Sequence, residues 1–269
     1  MKFSVLMSIY VRERPERFDR AMQSIWDEQT RKPDQIVLVK DGPLPSELDD
    51  VIDTWREKLG DILVVVPLEH NVGLGAALNK GLEHCIYDLV ARMDSDDISL
   101  PHRFEQQVAF MRDNPDVAVS SAWIEEINDQ GDVFSIRTLP ANHEELSIFA
   151  RKRSPIAHPV AVFKRKAVLA AGGYPSLRKS QDYGLWARLL VQGYRMANIQ
   201  EVLYRMQVGN VFSSGRGVEQ LRNEWAMFRF QKRIGFIGWP ALIRNVGVRC
   251  VLRLSPCWAK KVLYKIGRK

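Results

Sequence analysis

Four short apolar runs constrain the fold of this 269-residue chain more than any other feature. FSVLMSI (Phe3 to Ile9), QIVLV (Gln35 to Val39), ILVVV (Ile62 to Val66) and LVARM (Leu89 to Met93) each have the length of a buried strand. Helical patterns lie between them: Phe18, Ala21, Met22, Ile25 and Trp26 recur at helical spacing, and Leu74, Leu78 and Leu82 share one face of GLGAALNKGLEHC. Buried strands alternating with helices predict βαβ units and a mainly parallel sheet. Right-handed crossovers then put the C-terminal strand ends on one edge, where ligands of such sheets bind. Tyr10, Asp41, Asn71 and the stretch Asp94 to Asp97 follow those ends, so polar residues converge where a site is expected.

ARMDSDD, residues 91 to 97, crowds Asp94, Asp96 and Asp97 together. Carboxylates this close repel one another and raise each other's pKa unless a cation neutralises them. Mg²⁺ or Mn²⁺ is an economical solution, because it takes one or two carboxylates and fills its remaining positions with water and nucleotide phosphate oxygens. A bland alternative is helix capping, since SDDISLPHRFEQQ can start a helix near Pro101. Capping uses only one of the three acids. A calcium loop of the EF-hand type is discounted, because the glycine and the distant glutamate it needs are missing.

Composition bounds the rest. With 46% hydrophobic and 26% charged residues, the chain reads as a soluble globular protein with one large domain, or one domain plus a tail. Cys85, Cys250 and Cys257 show no CxxC spacing and indicate neither a disulfide framework nor a zinc site. MKFSVLMSIY runs directly into VRERPERFDR without a small-residue cleavage site, which predicts a cytosolic chain. The net charge of +7 is uneven: Glu224 is the last acid, eleven Lys or Arg follow it, and residues 1 to 224 carry a net −4. An acidic catalytic body joined to a basic attachment segment fits that asymmetry, and a whole surface devoted to nucleic acid does not.

Six blocks, SVLMSIY, VLVKDGP, NVGLGAALNKGL, ARMDSDDISLPHRFEQQ, AHPVAVFKRKAV and QDYGLWARLL, stand in this order over roughly residues 3 to 210. On these blocks the chain resembles the bacterial family 2 glycosyltransferases, especially the branch that builds O-antigen and exopolysaccharide repeat units, including amylovoran-like polymers. The resemblance implies an α/β GT-A fold, a Rossmann-like and mainly parallel sheet flanked by helices, followed by a helical basic tail. It implies a transferase domain over residues 1–212, with a nucleotide-binding half to about residue 100 and an acceptor-binding half from 101, and a tail over 213–269.

The same resemblance assigns roles. Ser8, Tyr10 and Glu13 look like part of the nucleotide base pocket. Asp41 is similar to the aspartate that accepts from the base or ribose, although a turn residue in DGP is the plainer reading. Asn71, Gly73 and Asn79 match the block NxGxxxAxN, where Gly73 either admits the nucleotide or simply turns the chain into a helix. Asp94, Ser95 and Asp96 match the DxD motif, with Asp96 and Asp94 the expected ligands of Mn²⁺ or Mg²⁺ and Asp97 an additional carboxylate. Arg103 either compensates the cluster or is an exposed helical arginine. Asp182 in SQDYGLW resembles the aspartate regarded as the catalytic base, with Gln181 departing from the usual Glu; its plain alternative is a helix N-terminal acid. His158 lines a pocket or is structural.

The implied reaction is metal-dependent inverting transfer of a hexose or N-acetylhexosamine from a nucleotide sugar, with UDP the expected nucleotide, to a polyprenyl-diphosphate-linked saccharide. The tail mixes Trp, Leu, Ile and Val with cations, contains no acid beyond Glu224, and is broken by Pro240 and Pro256. An interfacial segment on the cytoplasmic face of a bacterial inner membrane fits it better than a spanning helix, and a packed helical hairpin with a basic face is the alternative. No nucleic-acid partner is expected. Two other functions stay open: a sugar nucleotidyltransferase, which lacks support because SIYVRERPERF has no phosphate-binding glycines, and a noncatalytic membrane scaffold.

Overall fold

The computed structural model describes residues 1–208 and 217–254. The proposed boundary at 212/213, Pro256, Cys257 and the last part of the basic tail lie outside the described residues. The chain begins with β1 (Phe3–Ile9), α1 (Pro15–Ile25), β2 (Gln35–Lys40), α2 (Ser46–Leu59), β3 (Leu63–Pro67), α3 (Leu74–His84) and β4 (Leu89–Arg92). All four apolar runs are strands, and β3-β2-β1-β4 pair in parallel.

Beyond β4 the sheet changes character. β5 (Ile98–Ser99), α4 (Arg103–Asp113), β6 (Val117–Ile127), β7 (Val133–Arg137), α5 (His143–Phe149), β8 (Val162–Lys164), α6 (Arg165–Ala170), α7 (Gln181–Val191) and β9 (Arg195–Gln207) follow. The order continues β4-β8-β6-β9-β5, with β8 antiparallel to both neighbours, β9 parallel to β6, and β5 antiparallel to β9. β7 returns on β6 as a hairpin through Gly131, whose φ of +85° suits glycine. The parallel sheet expected from the sequence is therefore the first half, and the second half is mixed.

Strand alternation distributes the core over both faces. Phe3, Val5, Met7 and Ile9 join α1, α2 and α4 in one cluster, through Phe18, Trp55 and Phe104 among others. Leu6, Val37 and Val39 join α3 and α7 in the other, through Leu78, Leu82 and Trp186. Gly81 makes the closest contact of α3 with the sheet: a Cβ there would lie 2.4 Å from Leu6 Cδ1 and 2.8 Å from Val39 Cγ2.

The last two helices, α8 (Gly217–Arg233) and α9 (Trp239–Leu254), pack on the body. Met227, Phe228, Ile237 and Leu242 form a third cluster with Tyr183 of α7, and Asn245 Nδ2 donates to the Arg151 carbonyl at 2.8 Å. As far as it is described, the basic tail is thus a packed hairpin. No helix among the described residues is long and apolar enough to cross a membrane.

The tight α3 contact yields a direct test. Gly81→Ala should destabilise the protein by about 1–3 kcal/mol, because Leu6 and Val39 must move to admit one methyl group. Denaturant unfolding of the two proteins measures the difference.

Candidate active site

The parallel topology brings the ends of β1 to β4 to one edge, and hydrogen bonds tie the following segments together there. Asp41 N–H donates to the Ile9 carbonyl at 2.8 Å, and Met93 N–H to that of Leu6 at 3.1 Å. The Asp41 carboxylate is buried and engaged. Its Oδ1 accepts from Val72 N–H at 2.7 Å, and its Oδ2 from Gly73 N–H at 3.1 Å and Asn71 Nδ2 at 3.0 Å. Asp41 therefore shapes the loop that carries Asn71 and Gly73. Gly73 itself has φ +86° with no protein atom within 4 Å of a would-be Cβ, so its backbone conformation, rather than a close protein contact, selects glycine.

Asn79, expected at the nucleotide, has both ends of its amide engaged by the chain. Its Nδ2 donates to the Tyr174 carbonyl at 2.9 Å and its Oδ1 accepts from Tyr174 N–H at 2.8 Å. Both ends of the amide brace the segment before α7. Ser8 is half-buried and Tyr10 exposed at the end of β1. Glu13, expected at the base pocket, meets the aspartate loop: Ser95 Oγ donates to Glu13 Oε2 at 2.5 Å.

Around β4 the carboxylates have distinct environments. Asp94 forms an ion pair with Arg92, whose side chain is wholly buried, and its N–H donates to the Tyr204 hydroxyl at 3.2 Å. Asp97 is buried and accepts from Gln207 N–H at 2.7 Å and from Tyr204. Burial, then Asp94 and Asp96, push its carboxyl well above the usual range. Asp96 is pushed up to about 6, first by burial and then by Asp94 and Glu13. None of the three aspartates caps a helix, since α4 begins after His102 without a side-chain cap.

Two arginines support this cluster from behind. Arg92 Nη1 donates to the Leu6 carbonyl at 3.3 Å, while its buried Nε has no partner. Arg103 is fully buried rather than an exposed helical cation. It donates to Gln107 Oε1 at 2.9 Å and to the Arg92 carbonyl, and its guanidinium lies 5.0 Å from the centroid of the Tyr204 ring. Desolvation pulls its pKa down to about 10, with Arg92 adding to the effect and Tyr204 and the aspartates opposing it. Arg92 and Tyr204 were missed in the sequence. A cation inside the otherwise apolar run LVARM was the available signal for Arg92; Tyr204, 110 residues from Asp94, gave none.

Asp182 lies in the first turn of α7, half-buried, after Ser180, which adopts a left-handed conformation with φ 59°. Burial raises its pKa, the Tyr183 and Asp182 backbone N–H groups oppose that, and Asp94 adds to the rise. His158 sits beneath this region, buried, with Nε2 3.0 Å from the Tyr174 hydroxyl. Burial and then Arg92 hold its pKa well below the ordinary imidazole value, so the ring is neutral. Gln181 packs beside Gly75, where its Cγ would be 3.1 Å from an added Cβ.

The acidic cluster fits a hard divalent cation. Asp96 carries an unfavourable carboxylate environment that a cation relieves, and Asp94 stands beside it. No group of three or more His, Cys, Asp or Glu among the described residues can enclose a metal by itself. A hard divalent ion takes one or two carboxylates and completes its shell with phosphate and water.

Residues 4–170 match the family described as Glycosyl transferase family 2. The amylovoran biosynthesis glycosyltransferase AmsE of Erwinia amylovora is 38% identical over 99% of each chain. The UDP-Gal:alpha-D-GlcNAc-diphosphoundecaprenol beta-1,3-galactosyltransferase of Escherichia coli is 37% identical over 98% of this chain and 95% of its own. Among solved structures, the mannosyltransferase PcManGT of Pyrobaculum calidifontis, in complex with GDP-Man and Mn2+, superposes with a TM-score of 0.67 at 19% identity, over 96% of this chain and 71% of that one. The shared α/β architecture is GT-A. With its family match spanning most of the chain and full-length relatives at this identity, the protein belongs to glycosyl transferase family 2 and is a glycosyltransferase.

Proposed function

We propose that this enzyme transfers a hexose or N-acetylhexosamine from a UDP-sugar to a polyprenyl-diphosphate-linked saccharide, with inversion, during assembly of an O-antigen or exopolysaccharide repeat unit. The observation that carries this reading is the pairing of two carboxylate sites: the β4 cluster, and Asp182 in the first turn of α7, whose neighbour Gln181 packs against Gly75 just beyond the Asp41-organised loop. The Escherichia coli relative is named for a UDP-sugar donor and a diphosphoundecaprenol-linked acceptor, which supports both substrate classes. With such an acceptor the enzyme would act at the cytoplasmic face of the membrane.

Each residue has a task in this reading. Ser8, Tyr10 and the Asp41-organised loop at Asn71 and Gly73 receive the base and ribose. Asp94 and Asp96 hold Mn²⁺ or Mg²⁺, with Ser95 and Glu13 fixing the loop between them. When bound, the ion supplies positive charge against the diphosphate leaving group; the solved mannosyltransferase contains Mn2+ with its nucleotide sugar.

Asp182 takes the proton from the acceptor hydroxyl as that oxygen forms a bond to the anomeric carbon and the bond to the nucleoside diphosphate breaks. One displacement inverts the centre, so an α-linked donor gives a β-linked product. The raised pKa of Asp182, caused first by burial, makes it a better base than an ordinary carboxylate. Neutral His158 contributes no competing positive charge to the site.

Donor binding is tested by thermal unfolding with UDP, GDP, dTDP or CDP, with and without Mn²⁺. A ligand that binds only the native state raises the melting temperature. UDP should stabilise the protein only with metal, and Asp96→Ala should lose that effect; stabilisation that is indifferent to both metal and Asp96 sinks the assignment.

Asp182→Asn should keep metal-dependent UDP binding and lower kcat by roughly 10²–10⁴-fold. In the native enzyme, kcat/KM for the acceptor at saturating donor should fall as pH drops through the raised Asp182 pKa, because protonation removes the base. That acid limb should be absent from the residual activity of Asp182→Asn. A product with retained anomeric configuration would overturn the single displacement.

A further inference from the structure

The outward sides of α8 and α9 are unlike the rest of the surface. Their inward sides are accounted for: Met227 and Phe228 of α8 and Leu242 of α9 are buried against Tyr183. On the opposite side of α8, Arg222, Arg229 and Arg233 are exposed at spacings of seven and four, which puts them in one stripe. Trp225 stands beside that stripe and is 43% exposed. On α9, Trp239 and Ile243, four residues apart and therefore on one side of the helix, are 62% and 68% exposed.

The charge on this layer has one sign. Residues 217–254 contain two acids, and both are directed into ion pairs: Glu219 with Arg178 at 3.1 Å and Glu224 with Arg249 at 3.9 Å. Lys232 is drawn over the Trp239 ring, 4.0 Å from its centroid. Large apolar side chains thus project to solvent through a field of cations with no free counter-charge designed against them. Exposed apolar groups of this kind mark an interaction surface.

We propose that the outward face of the α8/α9 layer seats the enzyme on an anionic lipid surface, with Trp239 and Ile243 entering the headgroup region and the arginine stripe on α8 meeting lipid phosphates. The two kinds of side chain identify the occupant. Tryptophan favours the interface between water and hydrocarbon, and basic residues beside it are attracted by the negative surface potential. A nucleic acid would satisfy the arginines and leave Ile243 without a partner.

This surface also has a useful position. α8 packs on α7, and Tyr183, the residue after Asp182, is buried in the cluster that joins them. The Asp182 helix and the layer that meets lipid are thus in direct contact, with packed helix axes about 8–10 Å apart. The proposal deepens the lipid-linked-acceptor reading and rests on it for its purpose, since a seat here holds Asp182 near the bilayer.

The test is co-sedimentation of the full chain with vesicles of phosphatidylcholine, alone or mixed with phosphatidylglycerol, together with tryptophan emission. The native protein should bind the mixed vesicles at least tenfold more tightly than the neutral ones, with a blue shift. The triple substitution Arg222→Gln, Arg229→Gln, Arg233→Gln should weaken binding on the order of 100-fold. Ile243→Asp should weaken it at least tenfold and remove the blue shift, and both variants should keep the native melting temperature and its rise with UDP and Mn²⁺. Absence of vesicle binding, equal binding to neutral and anionic vesicles, retention on duplex DNA instead, or variants that bind like the native chain would each overturn the proposal. Transfer to a soluble acceptor analogue separates the two readings: its persistence without vesicle binding leaves the enzymatic function standing, and its absence with vesicle binding does the opposite.

Discussion

A guanidinium with no exposed surface holds the centre of this protein together. Arg92 projects from β4 into the interior, pairs with Asp94, donates to the Leu6 carbonyl and influences His158 and Tyr174 electrostatically. Removing two charges from water is costly, and a buried pair is tolerated only when further hydrogen bonds satisfy it. Here Arg92 also reaches the Leu6 carbonyl and Asp94 stays partly open to solvent, while Arg103 holds the Arg92 backbone carbonyl and Tyr204 links the Asp94 N–H to Asp97. The sheet's parallel half supplies Arg92 and the aspartates, and the mixed half supplies Tyr204 and Gln207. The ionic centre is therefore also the seam between the two halves.

The parallel half was legible because its information is local. Each apolar run from Phe3 to Met93 has strand length, and each intervening pattern has helical period, so neighbouring residues reveal the element. The mixed half is written differently. β6 and β9 pair with each other in parallel over irregular registers, across a separation in which β7, α5, β8, α6 and α7 intervene. No short window contains that pairing. Inside the site, the same distinction holds: Asp94, Asp96 and Asp182 stood out by motif, while the capture of Asp41 by Val72 and Gly73, the bracing of Tyr174 by Asn79 and the approach of Glu13 to Ser95 depend on loops meeting from different strands.

The C-terminal hairpin shows how composition and packing give complementary information. The excess of cations after Glu224 announced a special surface, but the apolar residues mixed with them have two destinations. Phe228 and Leu242 close over Tyr183, whereas Trp239 and Ile243 face outward. Tyr183 also donates to the Ala150 carbonyl, and Asn245 donates to that of Arg151. The helix carrying Asp182 is consequently fixed from the body on one side and from the hairpin on the other, which restricts the direction of its first turn.

The loop beyond β3 owes its shape to a carboxylate it does not contain. Asp41 gathers Asn71, Val72 and Gly73, and the backbone comes so close that a Cβ on Gly42 would lie 2.8 Å from Asn71 N. Folding has already spent the conformational entropy of this segment. Ordering a loop on association would subtract from the affinity of whatever rests there. A ligand laid along this edge meets a floor that is frozen in advance, and its contacts contribute to holding it rather than to organising the chain beneath.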